Sequence, residues 1–323
     1  MNDDAERMET EWRSERLKHP IFGENLSKEA VDRIWDESAK TYSDAGYSRI
    51  ADAIVEKMLD DGILDSMPSL IDIGSGPGTF AKRFSPYCGS IVCADGSRPM
   101  LDRVESLGLS NVRTLESDCF GIPDEFRSDV SFCSLCPPMN CPEGLRTMER
   151  LSEGWCVYVS SANRESGIEG RIWNALGKDY TYAGYDTMHP YRILKAWGRE
   201  PAISFFEQPF ESGKPVEDFY GSMVKRISSY VTLDDDSKRI VRDAVEDFAE
   251  DGFVRQSGSL RIGMLAWMRR QPYYRIPRST RRDSEWTKYL KQSSCSGAAS
   301  CALRRCSQHS PRSSASARNG PSA

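Results

Sequence analysis

Three glycines at alternate positions, Gly74, Gly76 and Gly78, interrupt an apolar run in Leu70-Ile-Asp-Ile-Gly-Ser-Gly-Pro-Gly-Thr-Phe80. Glycine has no Cβ and takes positive φ readily, so such a turn lets backbone touch a ligand that a side chain would push away. Asp72 and Ser75 in the same run add a carboxylate and a hydroxyl. A second apolar run, Ser90-Ile-Val-Cys-Ala-Asp95, ends in a carboxylate 21 residues after Gly74 and is followed by Gly96. One carboxylate has two oxygens and several lone pairs, enough to accept both hydroxyls of a ribose. Strand, glycine turn, helix, strand and acid is the order of a nucleoside seat. A dinucleotide is disfavoured, because G-x-G-x-x-G needs a glycine where Thr79 stands, and the pattern here is G-x-G-x-G after an aspartate.

Two further stations follow. Asn111-Val-Arg-Thr-Leu-Glu-Ser-Asp118-Cys119-Phe reads as a strand and a loop holding an acid, and Asp129-Val-Ser-Phe-Cys-Ser134-Leu as a fourth strand closed by Pro137 and Pro138. Gly154-Trp-Cys-Val-Tyr-Val159 reads as a fifth. As an ordered set, residues 35–161 resemble the class I S-adenosylmethionine-dependent methyltransferases, residues 70–80 matching the glycine motif of that family. The resemblance implies an α/β fold, a doubly wound, seven-stranded, mostly parallel sheet with helical insertions. It also implies S-adenosylmethionine as cofactor, seated on Asp72, Gly74, Ser75, Gly76, Asp95 and Gly96. In that family the acid of the third loop takes the exocyclic amino proton of adenine and the next residue's N–H meets a ring nitrogen; Asp118 and Cys119 stand at those positions. Trp35-Asp-Glu-Ser-Ala-Lys-Thr-Tyr42 resembles the lead-in of small-molecule methyltransferases. Tyr42 then either faces the sulfonium, a cation attracted to an aromatic face, or packs a helix on the sheet.

No residue stands out as a catalytic base. An in-line displacement on a sulfonium methyl needs none if the acceptor is a thiolate, amine or carbanion, and alignment in a water-poor site does most of the work. His189, at a helix entrance beside Pro190, is either a general base or a capping or core residue. Cys133-Ser-Leu-Cys136-Pro-Pro-Met-Asn-Cys141 allows three readings. A metal site lacks a second ligand pair. A base-methylating motif, [DN]-P-P-[YFW], lacks its acid or amide at Cys136 and its ring at Met139. The third reading is buried thiols beside a rigid proline rim.

The elements that must hold these groups follow from periodicity. Ser27 suits a helix cap, with Val31, Ile34 and Trp35 at helical spacing. Ile50, Ala51, Ile54, Val55, Met58 and Leu59 form an apolar stripe ending at Gly62. Alternating strand and helix across residues 70–161 predicts parallel βαβ units, with ligands at the strands' carboxyl ends, where Gly74, Asp95, Asp118 and Ser134 all fall. Ile203-Ser-Phe-Phe-Glu is the expected sixth strand and residues 260–267 a seventh, antiparallel one. The expected organisation is N-terminal helices and a cofactor lid over 1–44 and the main domain over 45–268. Helical cap elements that set specificity are expected at 162–200 and 212–252, and a basic tail over 269–323, disordered from about 292.

Composition narrows the partners. The chain has 323 residues, 39% hydrophobic, and a net charge of -5. Twelve of its 43 Lys and Arg and only two of its 48 Asp and Glu lie from Arg269 onward, which leaves a body at -15. An acidic body repels polyanions, so a small-molecule acceptor is expected and nucleic acid is not. The absence of a long apolar run predicts no membrane span, and the charged N-terminus predicts no signal peptide. Ten cysteines without a framework suit a reducing cytoplasm. Two other classes stay open, a non-catalytic S-adenosylmethionine-binding regulator and, disfavoured by Thr79, a Rossmann oxidoreductase.

Overall fold

Short apolar runs bounded by glycine and acid turns build a sheet buried on both faces, as parallel strands require. The computed structural model describes residues 3–18, 20–22, 27–43, 46–162, 167–178 and 186–269. The aromatic stretch 179–185 and the basic tail beyond Arg269 lie outside them. Strands β1 (Ser69–Ile73), β2 (Ser90–Asp95), β3 (Val112–Glu116), β4 (Ser128–Ser134) and β5 (Ser152–Ser161) are mutually parallel where they pair. With β6 (Ala202–Pro215), the two-residue β7 (Ala249–Glu250) and β8 (Phe253–Met268), they give the order β3-β2-β1-β4-β5-β8-β6, and β7 pairs with β8. β8 is antiparallel to both neighbours, Val159 facing Met264 and Phe206 facing Ile262. This is the doubly wound, seven-stranded, mostly parallel sheet expected from the sequence, with β7 as a small addition.

Alternate residues of each strand supply two cores. Leu70, Ile91, Cys93, Val130, Phe132, Val157 and Met264 face α3 (Ser48–Asp60) and α4 (Ala81–Phe84). Ile71, Ile73, Val92, Ala94, Cys133, Tyr158 and Leu265 face α1 (Asp3–Arg16), α6 (Pro142–Arg150) and α8 (Met188–Ala196). The N-terminal helix, whose polar sequence reads as frayed or packed on a partner, is docked on the body. Trp12 is fully buried, and Glu9 accepts from Arg146 at 2.6 Å and from Trp197 Nε1 at 3.0 Å. α2 (Lys28–Ala39) begins as its sequence suggests, the Ser27 hydroxyl accepting from the N–H of Ala30.

The outer strands are longer than the sequence suggests. β6 runs 14 residues and β8 runs 16, pairing from Ala202 with Ala266 out to Pro215 with Phe253. The outer half of β6, Gln-Pro-Phe-Glu-Ser-Gly-Lys-Pro, has no apolar alternation and reads as loop. Cross-strand hydrogen bonds and α9 (Val216–Ser228) make it a strand. With α7 (Gly167–Ala175) and α10 (Asp235–Glu246), α9 closes a third core around Trp173, Phe219, Val241, Val245 and Val254 of β8. No described helix is long and apolar enough to cross a membrane.

Two glycines show how tightly the main layers pack. A Cβ on Gly144 in α6 would lie 2.1 Å from the carbonyl oxygen of Met139, whereas one on Gly221 in α9 meets nothing within 4 Å. Gly144→Ala is therefore expected to cost about 1–3 kcal/mol, and Gly221→Ala to stabilise by about 0.5–1 kcal/mol through reduced unfolded-chain entropy. Chemical denaturation of both variants measures the contrast.

Candidate functional site

A cavity of about 560 Å³ opens at the carboxyl ends of β1, β2 and β4 and the loop after β3, roofed by α2. Tyr42, Asp72, Gly74, Ser75, Gly76, Asp95, Gly96, Asp118, Cys119 and Ser134, all singled out in the sequence, line this one space. The glycine loop is held to β2 by the N–H groups of Gly74 and Ser75, which both donate to the Ala94 carbonyl at 2.8 and 3.1 Å. Gly74, Gly76 and Gly78 all have positive φ, at 71°, 53° and 84°. Their reasons differ. A Cβ on Gly74 would strike Cys136 Sγ at 2.3 Å, while one on Gly76 meets no atom within 4 Å. Gly76 therefore leaves volume to the cavity, and Gly74 makes room for a neighbouring side chain.

Asp95 is the junction of the site. Its Oδ2 accepts from the N–H of Gly76 at 2.8 Å and its Oδ1 from that of Ser97 at 2.9 Å. Burial pushes its carboxyl pKa up, and those backbone bonds only partly offset it. The Ser97 hydroxyl donates to Asp36 Oδ1 at 2.6 Å and caps α5 (Arg98–Glu105) by accepting from Met100 N at 3.4 Å. Arg103 of α5 donates to the carbonyls of Ala39 and Tyr42 at 2.9 and 3.0 Å, which anchors the end of α2 and the chain carrying Tyr42. Tyr42 is 39% exposed. In the loop after β3, Asp118 Oδ1 accepts from the N–H groups of Phe120 and Gly121, both at 2.9 Å, so this carboxylate also shapes its own turn.

Asp72 is a buried carboxyl at the end of β1, and its Oδ2 has no hydrogen-bond partner. Burial, with a smaller contribution from Asp95, raises its pKa from 3.8 to about 8. Among the described residues, the wall of the cavity carries four carboxyl groups, Asp32, Asp72, Asp95 and Asp118, and no lysine, arginine or histidine. A cationic donor brought beside this carboxyl would satisfy its free oxygen and favour its charged form.

Sequence reasoning missed Tyr47, whose hydroxyl lies 3.2 Å from Ser134 Oγ at the exit of β4. Its ring stands edge-on to Phe80, and burial raises its phenol pKa. It precedes α3 outside any recognisable motif. Asp32 was also missed; its signal is its place one turn before Trp35 on α2, and both line the cavity. Leu135 follows Ser134 with a positive φ of 49° and donates its N–H to Val159 at 2.9 Å, turning the chain sharply into Cys136, Pro137 and Pro138. His189 is not among the lining residues. It stacks on Trp12 at 6.3 Å between centroids, and burial lowers its pKa, as suits a neutral packed imidazole. Cys133 is buried in β4, and Cys141 donates to the Pro138 carbonyl at 3.5 Å. Among the described residues no cluster of three or more His, Cys, Asp or Glu is arranged to hold a metal ion.

No protein-family model matches the chain, and no curated protein matches it. Solved structures do resemble it. A methyltransferase candidate from Bacillus halodurans aligns at 16% identity and a TM-score of 0.46, covering 68% of this chain and 100% of that one. The YcgJ protein of Bacillus subtilis aligns at 17% identity and 0.44, covering 68% and 98%. Magnesium protoporphyrin IX methyltransferase from Synechocystis, crystallised with S-adenosylmethionine, aligns at 12% and 0.41, covering 84% and 99%.

The buried Asp72 makes a stability prediction. The folded carboxyl holds its proton up to about pH 8, whereas the unfolded chain loses it near 3.8. The folded state thus binds more protons across that window, and stability falls as pH rises through it. Asp72→Asn, neutral throughout, removes this contribution. In urea unfolding from about pH 5 to about pH 8.5, the wild type is expected to lose stability relative to the variant, the difference levelling off above about pH 8.

Proposed function

We propose that the protein binds S-adenosylmethionine in this cavity and transfers its methyl group to a small-molecule acceptor. The observation that carries this reading is the pairing of an open glycine turn with a buried Asp72 carboxyl whose Oδ2 has no partner, in a wall whose described charged groups are all acidic. That wall suits a ligand with two cationic groups, an α-ammonium and a sulfonium, and offers nothing to a pyrophosphate. Asp72 would take the ammonium. Asp95 has lone pairs left on both oxygens to accept ribose hydroxyls. Asp118 and the N–H of Cys119 would bind adenine, and Gly76 would let the backbone approach. The bound cofactor supplies a methyl on a positively charged sulfur. The protein's part is to align acceptor and methyl donor and to exclude water, with the Pro137–Pro138 rim and the roof of α2 narrowing the space. Tyr47 and Ser134 at the exit of β4 offer a hydroxyl pair to an acceptor's polar group.

Calorimetric titration with S-adenosylhomocysteine is the direct test. Asp95→Ala is expected to weaken binding by about 1.5–3 kcal/mol, the cost of removing a charged acceptor. Gly76→Val is expected to abolish it, because a branched side chain fills ligand volume and is strained at positive φ. Unchanged affinity in Asp95→Ala would remove Asp95 from the site, and normal binding by Gly76→Val would make the glycine loop a structural turn only.

A second measurement tests Asp72 separately. Near pH 7 its carboxyl is largely protonated in the free protein, given a pKa of about 8, and an arriving ammonium favours the carboxylate. Binding is therefore expected to release part of a proton, seen as a dependence of the observed enthalpy on the buffer's ionisation enthalpy. Asp72→Asn should lose that dependence.

A further inference from the structure

We propose that Cys119 and Cys136 form an oxidisable dithiol in the floor of the cavity, and that closing it into a disulfide weakens the cofactor seat. The chemistry stands on the geometry of the two thiols; the consequence for binding rests on the cofactor reading above.

The two sulfurs lie 3.7 Å apart. They come from loops after β3 and β4, two strands that the order β3-β2-β1-β4 separates by the whole width of the glycine-loop region. Both residues line the cavity; Cys136 is half-buried and is the one a small solute reaches first, while Cys119 is buried behind it. A third thiol, Cys133, is fully buried in β4 against Cys136 and is not among the lining residues. The pair that lines the cavity is thus Cys119 with Cys136, not the C-x-x-C of the sequence.

A disulfide holds its sulfurs about 2.05 Å apart, so oxidation draws the two loops together. Both are anchored. Cys119 belongs to the turn that Asp118 fixes through Phe120 N and Gly121 N. Cys136 Sγ occupies the place where a Gly74 side chain would be. Movement at one end displaces the adenine-side turn, and at the other it removes the packing under the glycine loop.

With a low-molecular-weight disulfide such as oxidised glutathione, the step balances. The Cys136 thiolate attacks one sulfur and expels a glutathione thiolate. The Cys119 thiolate then attacks Cys136 Sγ of the mixed disulfide and expels the second. The two protein protons end on two glutathione thiols, and the protein loses two electrons that the small disulfide gains. The contact with Cys136, and burial, hold the Cys119 thiol well above its ordinary pKa. For Cys136 the contact with Cys119 favours the thiolate, but the contact with Cys133 and burial outweigh it. The reaction therefore accelerates with pH.

Trypsin separates the partners, because Arg113, Arg127 and Arg146 place Cys119 in peptide 114–127 and Cys133, Cys136 and Cys141 together in peptide 128–146. Full-length protein equilibrated with oxidised glutathione, alkylated and digested is expected to show the two peptides joined through Cys119 and Cys136, and dithiothreitol should separate them. Oxidised protein is expected to bind S-adenosylhomocysteine at least tenfold more weakly than reduced protein, with full recovery on reduction. By linkage, saturating S-adenosylhomocysteine, which favours the reduced form, should then raise the midpoint potential of the pair by about 30 mV for each tenfold. Cys136→Ser should abolish the joined peptides and the affinity change together, while Cys141→Ser should retain both. Unjoined peptides, a bond confined to Cys133 and Cys136, or joined peptides with unchanged affinity would each overturn the proposal. A reduced chain that forms the joined peptides yet binds no S-adenosylhomocysteine would leave the dithiol standing, and would take down both the cofactor reading and the consequence drawn from it.

Discussion

The arrangement of the cavity depends on one carboxylate accepting two backbone N–H groups. Asp95 ends β2 and holds Gly76 of the first loop and Ser97 of the second at 2.8 and 2.9 Å. Ser97 in turn reaches Asp36 of α2 and caps α5. Glycine turn, α5 and roof therefore hang on one half-buried carboxylate. Without the carboxylate, two partly buried donors lose their acceptor, and each orphaned group costs about as much as a hydrogen bond contributes. The same group is the candidate for ribose hydroxyls, so what organises the empty loops is also what the ligand would read.

The rest of the body keeps that junction still. On one face Phe132 packs at a tilt against Phe80, at 4.6 Å between centroids, and stands edge-on to Phe84 at 4.9 Å, fixing the segment that leaves the glycine turn. On the other face two buried or half-buried glutamates act as fasteners. Glu149 accepts from Arg199 at 2.7 and 3.0 Å and from Trp267 Nε1 at 3.0 Å, joining α6 to the chain after α8 and to β8. Glu9 does the same for α1, α6 and the end of α8. Sites on rigid elements hold their geometry better than sites on unsupported loops, and here the glycine loop and the turns after β2 and β3 are each pinned by hydrogen bonds to a neighbouring strand or carboxylate.

Much of this was legible in the sequence because parallel sheets converge their carboxyl ends. Once β1 and β2 are recognised, Gly76 and Asp95 must be near each other, and the same topology brings Asp118 and Ser134 to the same edge. Ten residues spread from Tyr42 to Ser134 thus share one cavity wall. What the sequence hid is contact without a local pattern. Tyr47 meets Ser134 from a helix entrance 87 positions away, and His189 meets Trp12 across two helices that only the folded layers bring together. The spacing of Cys133 and Cys136 gives no sign of Cys119, which reaches Cys136 from a different loop. The outer half of β6 was hidden for another reason: a polar strand with Pro209 and Pro215 has no apolar alternation, and its pairing with β8 decides its form.

That long hairpin has a consequence for how the molecule breathes. The core of Trp173, Phe219, Val241 and Val245 reaches the main sheet through β6 and β8, and its helices share no cluster with the two faces of that sheet. Hydrophobic clusters of this kind open as separate cooperative units. Amides of α7, α9 and α10 would then exchange with solvent together, through a partial opening that leaves β1, β2 and β4 closed. The elements around the outer arm can loosen and re-form while the junction at Asp95 stays intact, so plasticity and precision occupy different parts of one chain.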